Sequence, residues 1–520
     1  MDRVNNLLTV HGHQPIGNLP HIFDVAYQQA YLPFMRHMAQ QPRQKFALHF
    51  SGVLYDWFSV QHPDFLDQIR ALVKRGQAEV LTAGYYEPIL SLIPDEDKIG
   101  QIERMNHFVR EKFGSSPRGI WLAPHDWEMG FPAIFSDLGI EYALVNCDKP
   151  PDGFYLTEHH GKILKICPLS PVKLEDPLSK IPSEYLQMAS FEESTPQGRI
   201  YLPGEVYYRN FLIEHPEANN LHKKMLYISS KLQALKKGKT LFGDKARDAQ
   251  LESAGSELYR GQCGDAYWNN AFGGLQLPYL RAAVYQHLLR SENEIEKISR
   301  GGKNFVELVV TDFDKDGNDE VILSNNLLNL YFSPTCGGAM FEMDYKPAGI
   351  NLLNTFVRRG AQPGYSLLDR FLSPAPVNLA QQPYTFMPHR RPDEVGVKMV
   401  YSGRVKETSI RLEKRVDIHA KLSIVHIEYV ITNQGKTSQD FHFGVDFNFS
   451  LPAGGQGLPA VNFNAENEIK LVDERNGFAV LFQVDRPAFL EKGNSICPSW
   501  KFTLAGSEEW KLKIVLRIEA

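Results

Sequence analysis

Five short apolar runs in the first 150 residues, Leu7–Val10, Phe46–Phe50, Ala78–Thr82, Ile120–Ala123 and Tyr142–Val145, alternate with longer segments of helical period. This alternation constrains the fold more than any other feature, because strand–helix–strand units of that kind build a parallel sheet. The first four runs stop at residues able to do chemistry: His11 and His13, Ser51, Tyr85 to Glu87, and His125 with Asp126. Residues just past the C-terminal ends of parallel strands face the ligand crevice. Between the runs, Pro63 to Val73 carries apolar residues at helical spacing and ends in Arg75-Gly76, while Asp95-Glu96-Asp97 opens another helix with acids at the positive end of its dipole.

The fourth run sits in Gly119 to Phe131, which changes character at one residue. Proline cannot continue a sheet ladder, so the strand ends at Pro124 and His125, Asp126, Trp127 and Glu128 follow at once. Two readings stand for these four: the rim of a site, or a turn whose polar groups are solvated.

Farther along, the texture changes twice. Residues 1–205 read as an α/β domain, 206–300 as helical, with stripes over Asn219 to Leu235 and Leu280 to Ile295, and 301–520 as a β-sandwich of short runs separated by Gly, Asn, Asp and Pro clusters. Pro363 to Pro392 is less patterned and reads as a long loop. A chain of 520 residues accommodates roughly two to four such domains. Asp312-Phe-Asp314-Lys-Asp316-Gly317-Asn-Asp319-Glu320 alternates carboxylates around a glycine, the arrangement that wraps oxygen ligands about Ca²⁺. Leu323 stands where an EF-hand needs its bidentate Glu, so Glu320 would close a shorter loop; a plain acidic turn is the alternative.

A net charge of -5 supplies no field for nucleic acid, and no apolar stretch is long enough for a membrane span. The start of the chain lacks the basic and apolar regions of a signal peptide. Five scattered cysteines, Cys147, Cys167, Cys263, Cys336 and Cys497, form no CxxC pair, so a reducing cytoplasm is expected. A homo-oligomer is compatible with the sequence.

His11-Gly-His13-Gln14-Pro15 follows the first run. Two histidines at i and i+2 could bind a metal, hydrogen-bond sugar hydroxyls or pair with neighbours. Adding Glu79, Gly84-Tyr-Tyr-Glu87-Pro88 and Trp121 with Trp127 turns the balance toward a sugar site, where indoles pack on pyranose faces and acids and imidazoles take the hydroxyls.

These motifs resemble glycoside hydrolase family 57, most of all its 4-α-glucanotransferase and α-amylase branch. His11 to Asn18 resembles the first family motif, Lys74 to Glu79 with Ala83 to Pro88 the second, Gly119-Ile-Trp121-Leu122 the opening of the third, and Gln262 to Trp268 with Phe272-Gly-Gly274 the fifth. Similarity also runs through Thr195 to Pro203, His215 to Leu226 and Asp312 to Gly338. The resemblance implies an incomplete (β/α)7-type barrel, a helical domain and a C-terminal β-sandwich. It implies an α-glucan or malto-oligosaccharide ligand held by His11, His13, Gln14, Glu79, Trp121, Trp127 and Trp268. No cofactor is required; the acidic pattern alone offers Asp312, Asp314, Asp316 and Glu320 to a structural Ca²⁺, with a plain acidic turn as the alternative.

The departures fall at the chemistry. The family's nucleophilic Glu, two residues after the Trp-Leu of the third motif, is Pro124 here. The fourth motif, which carries the acid/base Asp, is missing between Pro171 and Thr195, where Glu175, Asp176, Glu184, Glu192 and Glu193 form no such pattern. Asn269 replaces the His after the fifth-motif Trp. A retaining glycosidase needs two carboxyl groups about 5 Å apart, so the expectation is a saccharide-binding protein with lost or greatly weakened catalysis. Its rivals are an active enzyme with Asp126 or Glu128 as a relocated nucleophile, a metal-dependent hydrolase built on His11 and His13, with His125 and Asp126 as further ligands, and a structural or regulatory partner in glycogen metabolism.

Overall fold

The structure, a computed structural model, describes residues 6–146, 153–192, 196–204, 206–238, 245–269, 273–355, 364–374, 376–450, 464, 467–491 and 495–520. Cys147, Glu193, Thr195, Phe272 and Pro363 lie outside the described residues. The chain divides into two compact units, residues 1–243 with 252–291, and residues 244–251 with 292–520.

In the first unit, β1 (Asn6–Gly12), β2 (Phe46–Phe50) and β3 (Ala78–Val80) pair in parallel. A parallel bridge from Thr82 to Ile120 carries the direction into β4 (Gly119–Trp121) and β5 (Tyr142–Val145). All five residues of β2 are buried, as expected of a parallel strand covered on both faces. Strand periodicity divides them. Phe46, Leu48 and Phe50 pack with Tyr31, Phe34, Phe58 and Phe65 of the helices, while Ala47 faces the other way, into a cluster with Trp121, Tyr142, Leu144 and Phe191. His49, two residues on from Ala47, shares that second face.

Five further strands complete the unit's sheets: β6 (Phe154–His159), β7 (Lys162–Pro168), β8 (Ser170–Pro171), β9 (Gln187–Glu192) and β10 (Pro196–Arg199). β7 lies parallel to β5, and β9 runs antiparallel along β1. The short stretch after Pro171 thus supplies a sheet neighbour for β1. Its pattern was faint because only Ser190 and Phe191 of β9 are buried. The expected helices begin earlier than their apolar stripes, at Pro216 and Pro278, since proline is tolerated in the first turn, where its missing N–H has no helical partner anyway.

Helix Asp95–Phe113 ends at Gly114, whose φ of 70° suits a left-handed cap. Of its three leading acids, Asp97 is fully buried. It accepts hydrogen bonds from Ser229 Oγ (2.6 Å), Gln233 Nε2 (2.9 Å) and Gln262 Nε2 (2.6 Å), so the acid that opens this helix also fastens it to Pro216–Lys237.

Among the described residues the second unit holds three sheets. The first starts with β11 (Val306–Thr311) and β12 (Glu320–Asn325), antiparallel to each other. A second centres on Leu368–Ser373, Gln439–Asp446 and Pro498–Leu504, and a seven-stranded antiparallel sheet contains Glu394–Val405, Thr408–His419, Ile424–Asn433 and Glu509–Glu519. Their apolar faces share one core, with Leu330, Met343, Phe371, Val397, Leu412, Ile427, Phe443 and Ile514 among its members. The long loop expected over 363–392 is corrected here: Leu368–Ser373 and Thr385–Arg391 are strands within it. The latter is an edge strand that includes Pro388 opposite Val397, and an edge is where a strand tolerates proline.

The glycine between the two histidines has a packing reason. Gly12 ends β1 in register with Phe50, and a Cβ at Gly12 would lie 2.5 Å from Phe50 Cε1. Gly12→Ala should therefore lower stability by about 1–3 kcal/mol, the usual cost of overpacking, seen as a lower urea midpoint with an unchanged slope.

Candidate functional site

The C-terminal ends of β1, β2 and β4 deliver His11, His49 and Trp121 to one place, and the turn after β3 brings Glu87 to them. Glu87 sits at φ 47°, a left-handed conformation uncommon outside glycine and frequent at sites the surroundings over-determine. The turn is fixed from two sides. Its Tyr86 N–H donates to Gln101 Oε1 (3.0 Å), and the Glu87 carbonyl accepts from Gly264 N (3.0 Å). Gln101 Nε2 also donates to Gln262 Oε1 (3.0 Å), and Gln262 in turn binds Asp97. One chain of buried amides therefore positions both Glu87 and the segment that carries Asp265.

Glu87 is the hub. Its Oε1 receives His11 Nε2 and His49 Nε2, each at 3.0 Å, and its Oε2 lies 3.3 Å from His13 Nδ1. The other nitrogen of His13 reaches Asp265 Oδ2 at 2.7 Å. Trp121 lies flat on His11, ring centroids 4.4 Å apart. Burial works against charge on Glu87, but the neighbouring His13 and His11 outweigh it and hold the carboxyl well below the usual range. Burial likewise opposes protonation of His13, yet Glu87 and Asp265 raise it to about 9. Burial lowers His49 despite its bond to Glu87. At neutral pH the centre is an anionic Glu87, a cationic His13 between two acids, and a neutral His49.

Of the residues expected to bind a ligand, His11, His13 and Trp121 come together here. Gln14 lies behind them, buried, donating to Tyr31 Oη and accepting from Asn18. Glu79 does not join them. It pairs with Arg118 (3.5 Å), which also contacts Glu141 (3.6 Å); Arg118 and Glu141 immediately precede β4 and β5, so Glu79 belongs to the N-terminal ends of the strands. Trp127 is buried, with Nε1 donating to the Leu202 carbonyl (3.3 Å). Trp268 meets Tyr208 and Tyr207 edge-on, and Tyr207, 41% exposed, stacks on His125.

The two candidate nucleophiles are engaged elsewhere. Asp126 is buried, and its carboxylate accepts the backbone N–H groups of Leu90 (2.7 Å) and Ser91 (2.9 Å). Burial pushes it up to about 6, against the pull of those bonds. Glu128 is paired with Arg209 at 2.8 Å. Pro124 offers only its carbonyl, which accepts from Tyr208 Oη. A small recess of about 10 Å³, room for about one water molecule, is lined by Gly84, Glu87, Trp121, Ala123 and Asp126, among others.

Sequence reasoning missed His49 as a site residue and left Glu87 and Asp265 in their motifs without a role. The signal for His49 was available: an imidazole in an otherwise apolar strand, in phase with the inward-facing positions.

Ligand atoms of His11, His49 and Glu87 lie within 4.8 Å of one another, as do those of His13, Cys263 and Asp265, spacings a metal could use. A metal-bound imidazole normally passes its second N–H to a carboxylate or carbonyl. Nδ1 of His11 and of His49 is buried with no such partner, so the donor set suits an ion-pair centre better than a metal.

The His13 shift carries a pH signature. Its folded value, about 9, exceeds the ordinary imidazole value of 6.5, so its contribution to stability is complete below pH 6.5 and is lost as the pH rises through about 9. Urea unfolding at a series of pH values should show the parent chain losing stability across that window relative to His13→Gln.

Comparison with known proteins gives this centre its context. The model for glycosyl hydrolase family 57 matches residues 7–176, the alpha-amylase/4-alpha-glucanotransferase middle domain matches 206–295, and the corresponding C-terminal domain matches 312–362 and 371–485. Alpha-amylase 1 of Dictyoglomus thermophilum is 30% identical over 459 residues, covering 68% of this chain and 65% of that protein. The 4-alpha-glucanotransferase of Thermococcus kodakarensis is 28% identical over 465 residues, 69% and 67% respectively. The chain thus spans about two thirds of the length of these relatives. The crystal structure of 4-alpha-glucanotransferase from Thermococcus litoralis shares the fold, with a TM-score of 0.79 at 22% identity over 99% of this chain and 100% of that one. On the three matched domains, the chain belongs to glycosyl hydrolase family 57.

Proposed function

We propose that this chain binds α-glucan at the Glu87 centre and carries out little or no glycosyl transfer. The observation that carries the proposal is Pro124 at the position of the family's attacking carboxylate, with both nearby acids committed to other bonds. A covalent glycosyl-enzyme needs a carboxylate oxygen at the anomeric carbon. Asp126 would have to give up two backbone hydrogen bonds to supply one, and Glu128 its ion pair with Arg209. Misplacement of a reacting group by ~1 Å already costs ~10²-fold in rate. Glu87 and Asp265 are a pair of acids, but the ring of His13 stands between them, where a sugar would have to enter.

What remains suits recognition. His13 and Glu87 present charged groups, and His11 a hydrogen-bonding one, beside the Trp121 ring, and Tyr207 with Trp268 adds aromatic surface of the kind that packs on sugar rings. The α-glucan assignment draws on relatives named as alpha-amylase and 4-alpha-glucanotransferase. The metal-dependent rival is disfavoured by the unpartnered Nδ1 atoms. We further propose that the parallel strands from β1 to β5 and β7 form an incomplete (β/α)7-type barrel and that the sheets of the second unit form a β-sandwich, supported by their continuous parallel pairing and shared core. The free thiols of Cys263, Cys336 and Cys497 favour a reducing, cytoplasmic setting. Among the described residues no helix is long and apolar enough to cross a membrane.

Maltoheptaose tests the proposal. Calorimetry should give saturable binding while chromatography of the same mixture shows the substrate unchanged, and Tyr207→Ala should weaken binding by about tenfold, the worth of an aromatic contact near 1.4 kcal/mol. Shorter or longer products would establish an active enzyme, and absence of binding would leave a structural or regulatory role.

A further inference from the structure

We propose that the turn joining β11 to β12 in the second unit is a Ca²⁺ site. The turn runs from Asp312 to Asp319, and carboxylate oxygens of Asp312, Asp314 and Asp316 lie within 4.8 Å of one another. Such a cluster alone is an ordinary acidic surface. The further observation concerns Glu320, the first residue of β12, whose side chain is fully buried inside the turn. Its Oε2 accepts Phe313 N (2.9 Å) and Asp314 N (3.4 Å), which fixes the carboxyl against the acidic segment. Its Oε1 is buried with no hydrogen-bond partner, and so is Asp312 Oδ1.

A buried carboxylate oxygen without a partner costs about 1–3 kcal/mol or more, and one in the turn and a second at the residue that follows it point to a ligand that both would accept. That ligand is a hard cation: the donors are all oxygen, several of them charged, and the turn holds no histidine or cysteine. The backbone is shaped to bring successive carboxylates inward, with Lys315 at φ 65° and Gly317 at φ 94°. Asp314 Oδ1 accepts Asp316 N (3.1 Å), and Asp316 Oδ1 accepts Asn318 N (2.7 Å), which pre-organises the loop. Lys315, the basic residue of the turn, donates to the Asp312 carbonyl and leaves that residue's carboxylate to other partners. Leu323, buried in the core, cannot serve as the distal ligand of an EF-hand, so Glu320 closes a shorter loop. Calcium tolerates such irregular sets of six to eight oxygens, whereas Mg²⁺ demands near-ideal octahedral geometry.

The full chain, stripped with a chelator and moved to metal-free buffer, is titrated with CaCl₂ in a calorimeter and melted with and without the ion. One calcium per chain and a melting midpoint that climbs with calcium concentration are expected, with weaker binding of MgCl₂. The surface double variant Asp312→Asn/Asp316→Asn should lose affinity by about tenfold or more, as site charge falls. Glu320→Gln should do the same if it folds, and the double variant decides if it does not. Absence of both heat and midpoint shift at millimolar calcium would overturn the proposal. So would unchanged affinity in the double variant, which puts the ion elsewhere, or equal affinity for magnesium.

Discussion

The first unit depends on a buried negative charge that cannot be left alone. Glu87 carries its charge at a depth where an unpaired carboxylate would cost several kcal/mol, and three histidines from two strands and a connecting turn surround it, the cationic His13 compensating the charge and His11 and His49 hydrogen-bonding it. Each partner is placed by a different part of the fold: β1 supplies His11, β2 supplies His49, and His13 is braced by Asp265 from the helical segment. The centre is therefore a junction, and removing His13 leaves Glu87 without its compensating charge in a largely buried place.

This view explains why departures from the family pattern coexist with a preserved scaffold. Pro124 stands at the end of a strand whose turn is held by Tyr208, Asp126 and the backbone at Leu90 and Ser91. Those bonds need no nucleophile to persist. Asp126 illustrates the exchange: a carboxylate that sequence alone offers as a catalytic candidate spends both oxygens on ending a turn, as a capping residue does.

Much of the architecture was legible because it rests on periodicity. Strands such as Phe46–Phe50 and Tyr142–Val145 are fully buried runs whose ends the sequence marks. Where burial is partial, as in Gln187–Glu192, or where an edge strand admits a proline, as at Pro388, the pattern fades and the strand reads as loop. At the candidate site, local motifs singled out His11, His13 and Trp121, which the structure brings together. They named Glu79, which sits inside β3 and pairs with Arg118, and left out Glu87, which the left-handed turn brings to the histidines. The His13–Asp265 bond spans 252 positions, a separation no local rule can bridge.

The amide relay behind the site would also make the spacing of its acids sensitive to deamidation of Gln262. Gln262 stands 2.6 Å from Asp97 and hands the other end of its amide to Gln101, which holds the Tyr86–Glu87 turn. Hydrolytic loss of ammonia from Gln262 would exchange one NH₂ for one oxygen, nearly invisible in mass and shape, and set two like charges face to face where a hydrogen bond had been. The repulsion would be felt along the relay at both ends, loosening the spacing of Glu87 and Asp265 while the surface of the molecule stayed as before.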